Sequence, residues 1–451
     1  MRIQAISVTN LFGIFNHFVK FHVEEHITII HGPNGYGKTV LLKMIDAIFN
    51  GHYAVLRSLP FSDFRINFDN GSELWITRNV DPHQLELDLS QHRETLPRQL
   101  SVALLQGGSE VESFVYGRVD PQLERHFALD ALESFIPGLD RIGPMTWIYR
   151  VTSETLSYDE VVDRFGDRLP APLNRAEKEP QWLQSLRLSI PVRFIETQRL
   201  LSITPRRARE SDRQQSFVPA VEVYSQQLGQ LIQTTLAEST AISQSLDRSF
   251  PARLVGHHHP APLTDDELKE RLISLEEKRS RLMAAGLLDK DTDVDFQVQQ
   301  EIEESVKTVL TVYIEDVERK LSVFDALVSK LELLKRVINE RFRYKQMTIS
   351  KERGFVFTTF LGDALPLTGL SSGEQHELVL LYELLFRLTP DSLILIDEPE
   401  LSLHILWQEQ FLKDLLQITQ LASFDVLIAT HSPQIINDRW DLTVELKGPE
   451  E

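Results

Sequence analysis

Short apolar runs that alternate with amphipathic stretches dominate the two ends of the chain. Near the N-terminal end, residues 27–30 predict a buried strand, and apolar positions at helical spacing over residues 40–49 predict a helix directly after it. Towards the C-terminal end, residues 393–396 and 426–429 predict two more buried strands. This pattern is typical of an α/β domain.

A β-hairpin is predicted within the first 80 residues. Apolar side chains alternate with polar ones on both sides of a turn, at Phe64, Ile66, Phe68, Leu74 and Ile76. The turn reads Asp-Asn-Gly over residues 69–71 and predicts two residues at positive φ. Residues 81–190 indicate no particular chemistry.

Helical patterns fill the middle of the chain. Helical spacing is visible over residues 220–247, and Thr264 with Glu267 predicts a capping box that opens another helix. A further long helix is predicted from about 299 to 345. Its apolar residues recur every seven positions at Leu310, Val317, Phe324, Leu331 and Ile338, with Tyr313, Leu327 and Leu334 on a second seam. These patterns fit a helical hairpin or short coiled coil, and nearly as well two amphipathic helices packed on a globular domain.

The order of these patterns predicts a divided domain. A chain of 451 residues is long enough for two or three packed units. We predict an N-terminal half of the α/β domain over residues 1–215, a helical insertion over 216–345, and the C-terminal half over 346–451.

Composition narrows the class of protein. The chain has no cysteine, which excludes disulfides and thiolate metal sites and suits a reducing cytoplasm. No signal segment and no membrane-spanning run are visible, so we expect a cytoplasmic protein without membrane contact. A formal net charge of −19 leaves nucleic-acid contact to local basic patches or to a partner.

Two charged segments have modest signals. Arginines at positions 206, 207, 209 and 213 are interpreted as a solvated loop in preference to a phosphate contact. Three adjacent histidines at 257–259 are interpreted as a loop, because neighbours in sequence cannot all face one metal ion from a regular element.

The sequence Gly-Pro-Asn-Gly-Tyr-Gly-Lys-Thr at residues 32–39 is the strongest chemical signal. It matches the phosphate-binding P-loop, and it lies between a predicted strand and a predicted helix, as that motif requires. Backbone N–H groups and the helix dipole would bind phosphate there. The predicted nucleotide-binding residues are Asn34, Gly35, Gly37, Lys38, Thr39 and Val40.

An apolar strand that ends in Asp397 and Glu398 has the Walker B arrangement. Asp397 is predicted to hold Mg²⁺ together with the Thr39 hydroxyl, and Glu398 to act as general base towards water. His431 follows the next predicted strand, where it would hydrogen-bond a γ-phosphate.

Residues 370–375, Leu-Ser-Ser-Gly-Glu-Gln, precede a predicted helix over 376–388. Ser371, Ser372, Gly373 and Glu374 are predicted to form a second anion site from free N–H groups at the helix start. An ordinary serine N-cap is the alternative.

Taken in order, these motifs resemble the ATP-binding-cassette ATPases of the SMC and DNA-repair type. The Glu-Pro-Glu-Leu-Ser-Leu-His segment at 398–404 and the Arg-Phe-Ile-Glu-Thr-Gln-Arg-Leu segment at 193–200 resemble the prokaryotic defence branch. That branch includes overcoming-lysogenization-defect (OLD) nucleases, retron-associated ATPases and the ATPase subunit of the Septu system. The matched motifs cover about half of the chain.

The resemblance implies a fold and a mode of action. It implies an ABC-type P-loop ATPase head split by a helical, short coiled-coil insertion, with two heads meeting head to tail around two ATP molecules. Ser371 and Gly373 would contact the γ-phosphate on the other subunit, and Gln198 would touch Mg²⁺ or the attacking water. Ser372 stands where many cassette ATPases have glycine, and His404 would lie in the loop that crosses the interface.

We therefore expect a slow, Mg²⁺-dependent ATPase that forms a homodimer or higher homo-oligomer. The leading hypothesis is a subunit of an anti-phage defence complex that senses nucleic acid or phage and controls a nuclease partner, HNH-like or other. An SMC or repair ATPase is the alternative, although it predicts longer coiled-coil arms, and a transporter ATPase subunit fits less well. Nuclease activity in this chain is not expected, because few residues follow the predicted strand at 426–429.

Overall fold

The computed structural model describes residues 1–79, 99–116, 132–136, 138–150, 154–165, 179–195, 201–203, 217–255, 263–289, 303–401 and 403–449. The chain divides into two compact units. The first unit combines Met1–Val218 with Arg387–Glu451, and the second unit is the continuous segment Pro219–Phe386.

The strands belong to five sheets among the described residues. In chain order they are β1 (Ile3–Leu11), β2 (Phe15–Lys20), β3 (Ile27–His31), β4 (Asp63–Phe68), β5 (Ser72–Asn79), β6 (Gln99–Gln106), β7 (Ser109–Tyr116), β8 (Leu139–Gly143), β9 (Thr146–Tyr149), β10 (Glu154–Ser157), β11 (Val192–Ile195), β12 (Leu201–Ile203), β13 (Phe217–Pro219), β14 (Lys345–Ser350), β15 (Gly354–Thr359), β16 (Ala364–Leu365), β17 (Leu393–Asp397), β18 (Asp425–Thr430) and β19 (Thr443–Glu445).

The α-helices vary from one turn to ten. They are α1 (Lys38–Asn50), α2 (Tyr53–Ser58), α3 (Leu132–Phe135), α4 (Tyr158–Phe165), α5 (Gln181–Ser189), α6 (Ala220–Val255), α7 (Asp265–Ala284), α8 (Glu304–Ser322), α9 (Asp325–Arg341), α10 (Ser372–Phe386), α11 (Ile405–Ala422) and α12 (Pro433–Ile436). Short 3₁₀ helices span Leu367–Gly369, Pro399–Leu401 and Trp440–Leu442. In the part of the chain that the structure describes, no helix is long and apolar enough to span a lipid bilayer.

A parallel sheet of order β11-β17-β18-β3-β19 forms the centre of the first unit. Its strands come from both ends of the chain, which confirms the predicted α/β fold with a helical segment inserted between the two halves of one sheet. The register pairs Asp397 with Ala429 and Thr430 with His31. The loops that follow β3, β17 and β18 therefore leave the sheet at one edge, where ligands bind in open α/β sheets.

Helix α1 packs its apolar side into the core of the first unit. Leu41, Leu42, Ile45 and Ile48 are all fully buried, as their helical spacing predicts. They contact a cluster that includes residues of both the parallel sheet and the antiparallel sheet of order β2-β1-β4-β5-β6-β7. This packing holds the start of α1 in position next to the end of β3.

The predicted hairpin is confirmed as β4 and β5, but its turn differs from the prediction. Only Gly71, at φ 78°, has positive φ among the three turn residues, and its N–H donates to the Phe68 carbonyl at 3.1 Å. A three-residue loop of this kind needs one left-handed residue, whereas a two-residue Asn-Gly turn needs two.

In the second unit, the predicted helix over 299–345 is wrong in its continuity. Among the described residues it is two helices, α8 and α9, with a break at Val323 and Phe324. The seven-residue repeat continues across the break because Phe324 is buried there, between the buried Val317 and Leu331. Tyr313, predicted for the second seam, is instead 42% exposed.

The other helical predictions hold. Helix α7 starts at the predicted capping box: Thr264 accepts from the Glu267 N–H, and the Glu267 side chain accepts from the Thr264 N–H. Helix α8 packs against α6 and α7, and α9 packs against α10 and β14. The helices and the sheet β14-β15-β16 thus build the second unit together.

Helix α10 is held in the second unit by a buried ion pair and a buried hydrogen bond. Glu377, 1% exposed, pairs with Arg341 of α9, and Glu383 accepts a hydrogen bond from the Tyr224 hydroxyl of α6. A charge buried this deeply is tolerated only with its partner.

We expect Glu377→Ala to lower the free energy of unfolding by about 3–5 kcal/mol, because it removes the buried carboxylate that pairs with the buried Arg341 guanidinium. Chemical denaturation monitored by circular dichroism measures the loss. Glu340→Ala is the matched control: its pair with Arg336 is on the surface, so the loss should stay within about 0.5 kcal/mol. Equal losses in the two variants would contradict the role of the buried pair.

Candidate nucleotide-binding site

The loop between β3 and α1 has the backbone geometry that phosphate binding requires. Gly35 and Gly37 have φ values of 87° and 85°, in the left-handed region that side chains disfavour. A Cβ on Gly37 would also lie 2.9 Å from the Leu11 side chain. Asn34 and Gly35 are exposed at the loop surface. The start of α1 has no side-chain cap among the described residues, so its first N–H groups are left for water or an anionic ligand.

Lys38 lies inside this loop. Its side chain is buried, and its Nζ donates to the carbonyls of Gly32 at 2.7 Å and Pro33 at 3.1 Å. Among the described residues these two neutral carbonyls are its hydrogen-bond partners, and no ion pair to Lys38 is present there. The loop therefore attracts a compact, multiply charged anion.

Thr39 and Asp397 meet at the same sheet edge. The Thr39 hydroxyl donates to Asp397 Oδ1 at 3.0 Å, across 358 residues of sequence. Burial raises the pKa of Asp397 to about 6, the Thr39 hydrogen bond opposes that shift, and nearby Glu398 adds to it. Desolvation of the carboxylate is therefore the dominant effect at this position.

The pair suits Mg²⁺. Hydroxyl and carboxylate oxygens are hard ligands, and Mg²⁺ is usually bound by one or two protein oxygens, with phosphate and water completing its shell. No group of three or more His, Cys, Asp or Glu side chains is arranged for a metal ion within the described ranges, so an all-protein cage is not available there.

Glu398 follows Asp397 in a strained backbone conformation. Its φ of 41° lies in the left-handed region, and its N–H donates to the Ala429 carbonyl at 2.8 Å. Strain of this kind persists where surrounding contacts enforce it, commonly at functional sites. His431 Nδ1 is 3.7 Å from Glu398 Oε1 and 3.0 Å from Glu400 Oε1. The structure therefore brings together Thr39, Asp397, Glu398 and His431.

Glu400 is the site residue that the sequence analysis missed. Its side chain is 6% exposed, and Oε1 accepts from the Thr430 hydroxyl at 2.7 Å and the His431 N–H at 3.0 Å. The available signal was a third carboxylate three residues after Asp397. By itself that spacing also fits a solvated loop, and only the fold shows that it is buried.

The predicted signature residues lie in the second unit. Ser371 and Glu374 form a capping box: the Ser371 N–H donates to Glu374 Oε2 at 2.7 Å, and the Glu374 N–H donates to Ser371 Oγ at 3.4 Å. Lys345 also pairs with Glu374 at 2.6 Å. Burial would raise the pKa of Glu374, but Lys345 and Ser371 outweigh it and lower that pKa. The serine N-cap is present, and two N–H groups predicted to be free, those of Ser371 and Glu374, are engaged in it.

Three of the predicted features lie outside the described residues. They are Gln198, the arginines at 206–213 and the histidines at 257–259. His404 caps α11, where its Nδ1 accepts from the Leu406 N–H at 3.3 Å.

The P-loop at residues 32–39 and the Walker B carboxylate of Asp397 lie at one edge of a parallel sheet. Together they define the chain as a P-loop ATPase with an ABC-type head. A family profile described as "AAA domain, putative AbiEii toxin, Type IV TA system" matches residues 209–437, just over half of the sequence. The chain belongs to this family.

Comparison with solved structures gives low similarities. The chain is 12% identical to the SMC head domain from Thermotoga maritima, with 97% of this chain and 91% of that chain covered and a TM-score of 0.31. It is 10% identical to the Smc head domain with an extended coiled coil from Pyrococcus furiosus, bound to the C-terminal domain of ScpA, with 96% and 91% covered and a TM-score of 0.31. Similarities this low assign no function. No curated protein matches the chain.

We expect Asp397→Asn to stabilise the nucleotide-free protein at pH 7.5 by about 1–3 kcal/mol, because it removes a carboxylate that burial penalises. With a folded pKa of about 6 against 3.8 in the unfolded chain, the folded protein holds this proton more tightly. The wild-type free energy of unfolding therefore falls, relative to the variant, as pH rises between these values.

Urea unfolding across this pH range measures the difference between Asp397→Asn and wild type. The control is Asp438→Asn, at an exposed aspartate in the same unit, which should follow the wild-type profile. A stability difference that does not change with pH would contradict the assignment of the effect to Asp397.

Proposed function

We propose that this protein is a Mg²⁺-dependent ATPase that binds ATP at the loop of residues 32–40. The observation that carries the proposal is the contact between Thr39 and Asp397. It brings a P-loop hydroxyl and a Walker B carboxylate within 3.0 Å, in the loop whose buried Lys38 donates to the Gly32 carbonyl. These are the elements that bind a nucleoside triphosphate and its cation.

Each residue has a distinct proposed role. Bound Mg·ATP supplies a reactive anhydride whose charge the cation partly neutralises. Lys38 and the N–H groups from Gly35 to Val40 would bind phosphate oxygens, and Thr39 with Asp397 would hold the cation. Glu398 orients water and accepts its proton, and His431 hydrogen-bonds the terminal phosphate. Gln198 is proposed to contact the cation or the water.

The proposed active form is a homodimer or higher homo-oligomer. Ser371, Ser372, Gly373 and Glu374 at the start of α10 would complete the ATP site of a second copy. Support comes from Gly373, which has open space around it, and from the dipole at the start of a 15-residue helix. Closure of the dimer around ATP would then be the rate-limiting step, and hydrolysis would be slow.

We further propose that the ATPase serves anti-phage defence. The segments at 193–200 and 398–404 resemble those of the defence branch, and the family description names a putative toxin of a toxin–antitoxin system. Cutting activity is assigned to a nuclease partner, which ATP-driven closure would control, and nucleic acid would be sensed through local basic patches. Among the described residues, the longest helix of the second unit is α6, which has 36 residues and spans about 54 Å. It is shorter than the arms that a chromosome-maintenance ATPase would need.

The activity is tested by phosphate release from ATP with Mg²⁺ and with EDTA. Lys38→Ala should lose nucleotide binding and hydrolysis together, because the loop then lacks its charge. The defence role is tested separately by affinity purification from the native host with mass spectrometry. The defence role would be wrong if the protein purifies alone and its deletion leaves phage sensitivity unchanged. The proposed ATPase activity would not be affected by that result.

A further inference from the structure

A histidine lies on the buried face of strand β2. Side chains along this strand alternate between buried and exposed, and His17 is buried on the same side as Phe15 and Val19. The pattern would favour an apolar residue at this position, yet His17 is only 4% exposed. A buried polar group needs a hydrogen-bond partner, because it has lost its contact with water. The partner of His17 therefore indicates why a polar residue is present here.

That partner belongs to the P-loop. His17 Nε2 lies 2.8 Å from the backbone carbonyl oxygen of Tyr36, in a hydrogen bond. A carbonyl oxygen only accepts hydrogen bonds, so Nε2 carries a proton and donates. Burial lowers the pKa of His17 more than the hydrogen bond to Tyr36 raises it, so the ring is uncharged near neutral pH. In the uncharged ring, the proton on Nε2 is the only one that the two nitrogens carry.

Ring contacts support the same arrangement. The Phe15 ring stacks on the His17 ring, with centroids 5.6 Å apart and planes inclined by 20°. Phe15 also contacts the Tyr36 ring, with centroids 5.4 Å apart. All three residues belong to the first unit. The Tyr36 residue is thus held against β2 by its ring and by its carbonyl.

The direction of this carbonyl determines the direction of the next N–H group. The peptide between Tyr36 and Gly37 is trans, and in a trans peptide the C=O and the following N–H point in opposite directions. Because the Tyr36 carbonyl points at His17, the Gly37 N–H points away from it. Gly37, at φ 85°, has no side chain to restrict rotation of this peptide. A rotated peptide would present an oxygen to an anion where an N–H is needed.

We propose that His17 is a positioning residue of the nucleotide site, which holds the Tyr36 carbonyl so that the Gly37 N–H is presented to a phosphate oxygen of ATP. The proposal rests on the proposed ATPase function for its ligand, whereas the contact between His17 and Tyr36 does not depend on it. His17 acts only through the backbone of the loop. Its loss therefore weakens the binding of ATP and leaves the turnover of bound ATP nearly unchanged.

Equilibrium binding of fluorescent ATP and steady-state kinetics test the proposal. His17→Leu removes the donor with little change of volume. It should raise Kd and KM about tenfold, as expected for one lost hydrogen bond, with kcat changed by less than about threefold. His17→Gln places an amide N–H near the position of Nε2 and should return Kd to within about threefold of wild type. His17→Asn is too short to reach the carbonyl and should resemble His17→Leu.

The control is a second buried hydrogen bond between a side chain and the backbone in the first unit. The Thr28 hydroxyl, in β3, accepts from the His22 N–H at 2.8 Å, and Thr28 is 1% exposed. Thr28→Val should lower the midpoint of urea unfolding by an amount comparable to His17→Leu, because each loses one buried hydrogen bond. Its Kd for ATP should stay within about twofold of wild type, since Thr28 does not contact the Tyr36 carbonyl.

A spectroscopic measurement tests the contact without ATP. With ¹⁵N-imidazole histidine near neutral pH, the wild-type His17 signal, assigned by its loss in His17→Gln, should show a proton on Nε2 and none on Nδ1. This result does not require any enzymatic activity.

Three results would overturn the proposal. They are a wild-type His17 without a proton on Nε2, a folded His17→Leu protein with the wild-type Kd, and equal rises of Kd in His17→Leu and Thr28→Val. If His17→Leu fails to fold, His17→Asn provides the same comparison with a polar side chain. A wild-type protein that binds no ATP would remove the proposed function and this inference with it, whereas unchanged binding in His17→Leu would remove the inference alone.

Discussion

Glu398→Gln is expected to lower kcat for ATP hydrolysis by about two to four orders of magnitude while leaving ATP bound. The amide cannot accept a proton from water, but it has nearly the same shape as the carboxylate. Glu398 is placed by the strained backbone at φ 41° and by its N–H contact to Ala429, so the variant should keep the loop conformation. Phosphate release and retention of fluorescent ATP measure the two effects.

The same variant should accumulate a closed dimer in the presence of Mg·ATP, because the ATP bound between the two copies is no longer hydrolysed. Size-exclusion chromatography with light scattering measures the shift in mass. The matched control is Glu445→Gln, at the carboxyl end of β19, another strand of the same parallel sheet. A Glu398→Gln protein that hydrolyses ATP at the wild-type rate would remove Glu398 from the mechanism.

Mixing two inactive variants should restore ATP hydrolysis. Lys38→Ala inactivates the phosphate loop, and Gly373→Asp places a negative charge where the signature segment would approach the γ-phosphate. A mixed dimer has one site in which both halves are intact. Random assortment places half of the molecules in mixed dimers, so about a quarter of wild-type activity is expected if each site works independently.

The structure favours Gly373→Asp over a change at Ser371. A Cβ on Gly373 meets nothing within 4 Å, and an acidic residue near a helix start is compatible with the dipole. Replacement of Ser371 would break the capping box with Glu374 and cost about 1 kcal/mol of stability. Gly373→Asp therefore tests the approach of phosphate with little effect on folding.

Two controls accompany the mixture. Gly373→Ala should stay close to wild type, because it adds bulk to open space without charge. A mixture of Lys38→Ala with the double variant Lys38→Ala/Gly373→Asp should stay inactive, since no pairing contains an intact loop. If the mixture of the two single variants shows no activity above their sum, the head-to-tail arrangement of two copies is wrong.

The amino-acid sequence by itself determined the elements with strong local signals. The P-loop between β3 and α1, the hairpin of β4 and β5 and the capping box at Thr264 were predictable because each depends on a few adjacent residues. Local periodicity also identified the buried strands β17 and β18. The same reasoning missed the helix break at Phe324, since a seven-residue repeat records which positions are apolar and not where a helix ends. It also placed Tyr313 on a buried seam, although that side chain is exposed.

Only the tertiary structure decided which distant residues meet. Sequence motifs suggested that Thr39 and Asp397 share a cation, but their 3.0 Å contact depends on the parallel register of β3, β18 and β17. Glu400 had no distinctive local signal, and its place in the site follows from its burial and from two donors, the Thr430 hydroxyl and the His431 N–H, that converge on its Oε1. Burial and convergence arise from packing between segments far apart in the chain, and for that reason no local pattern encodes them.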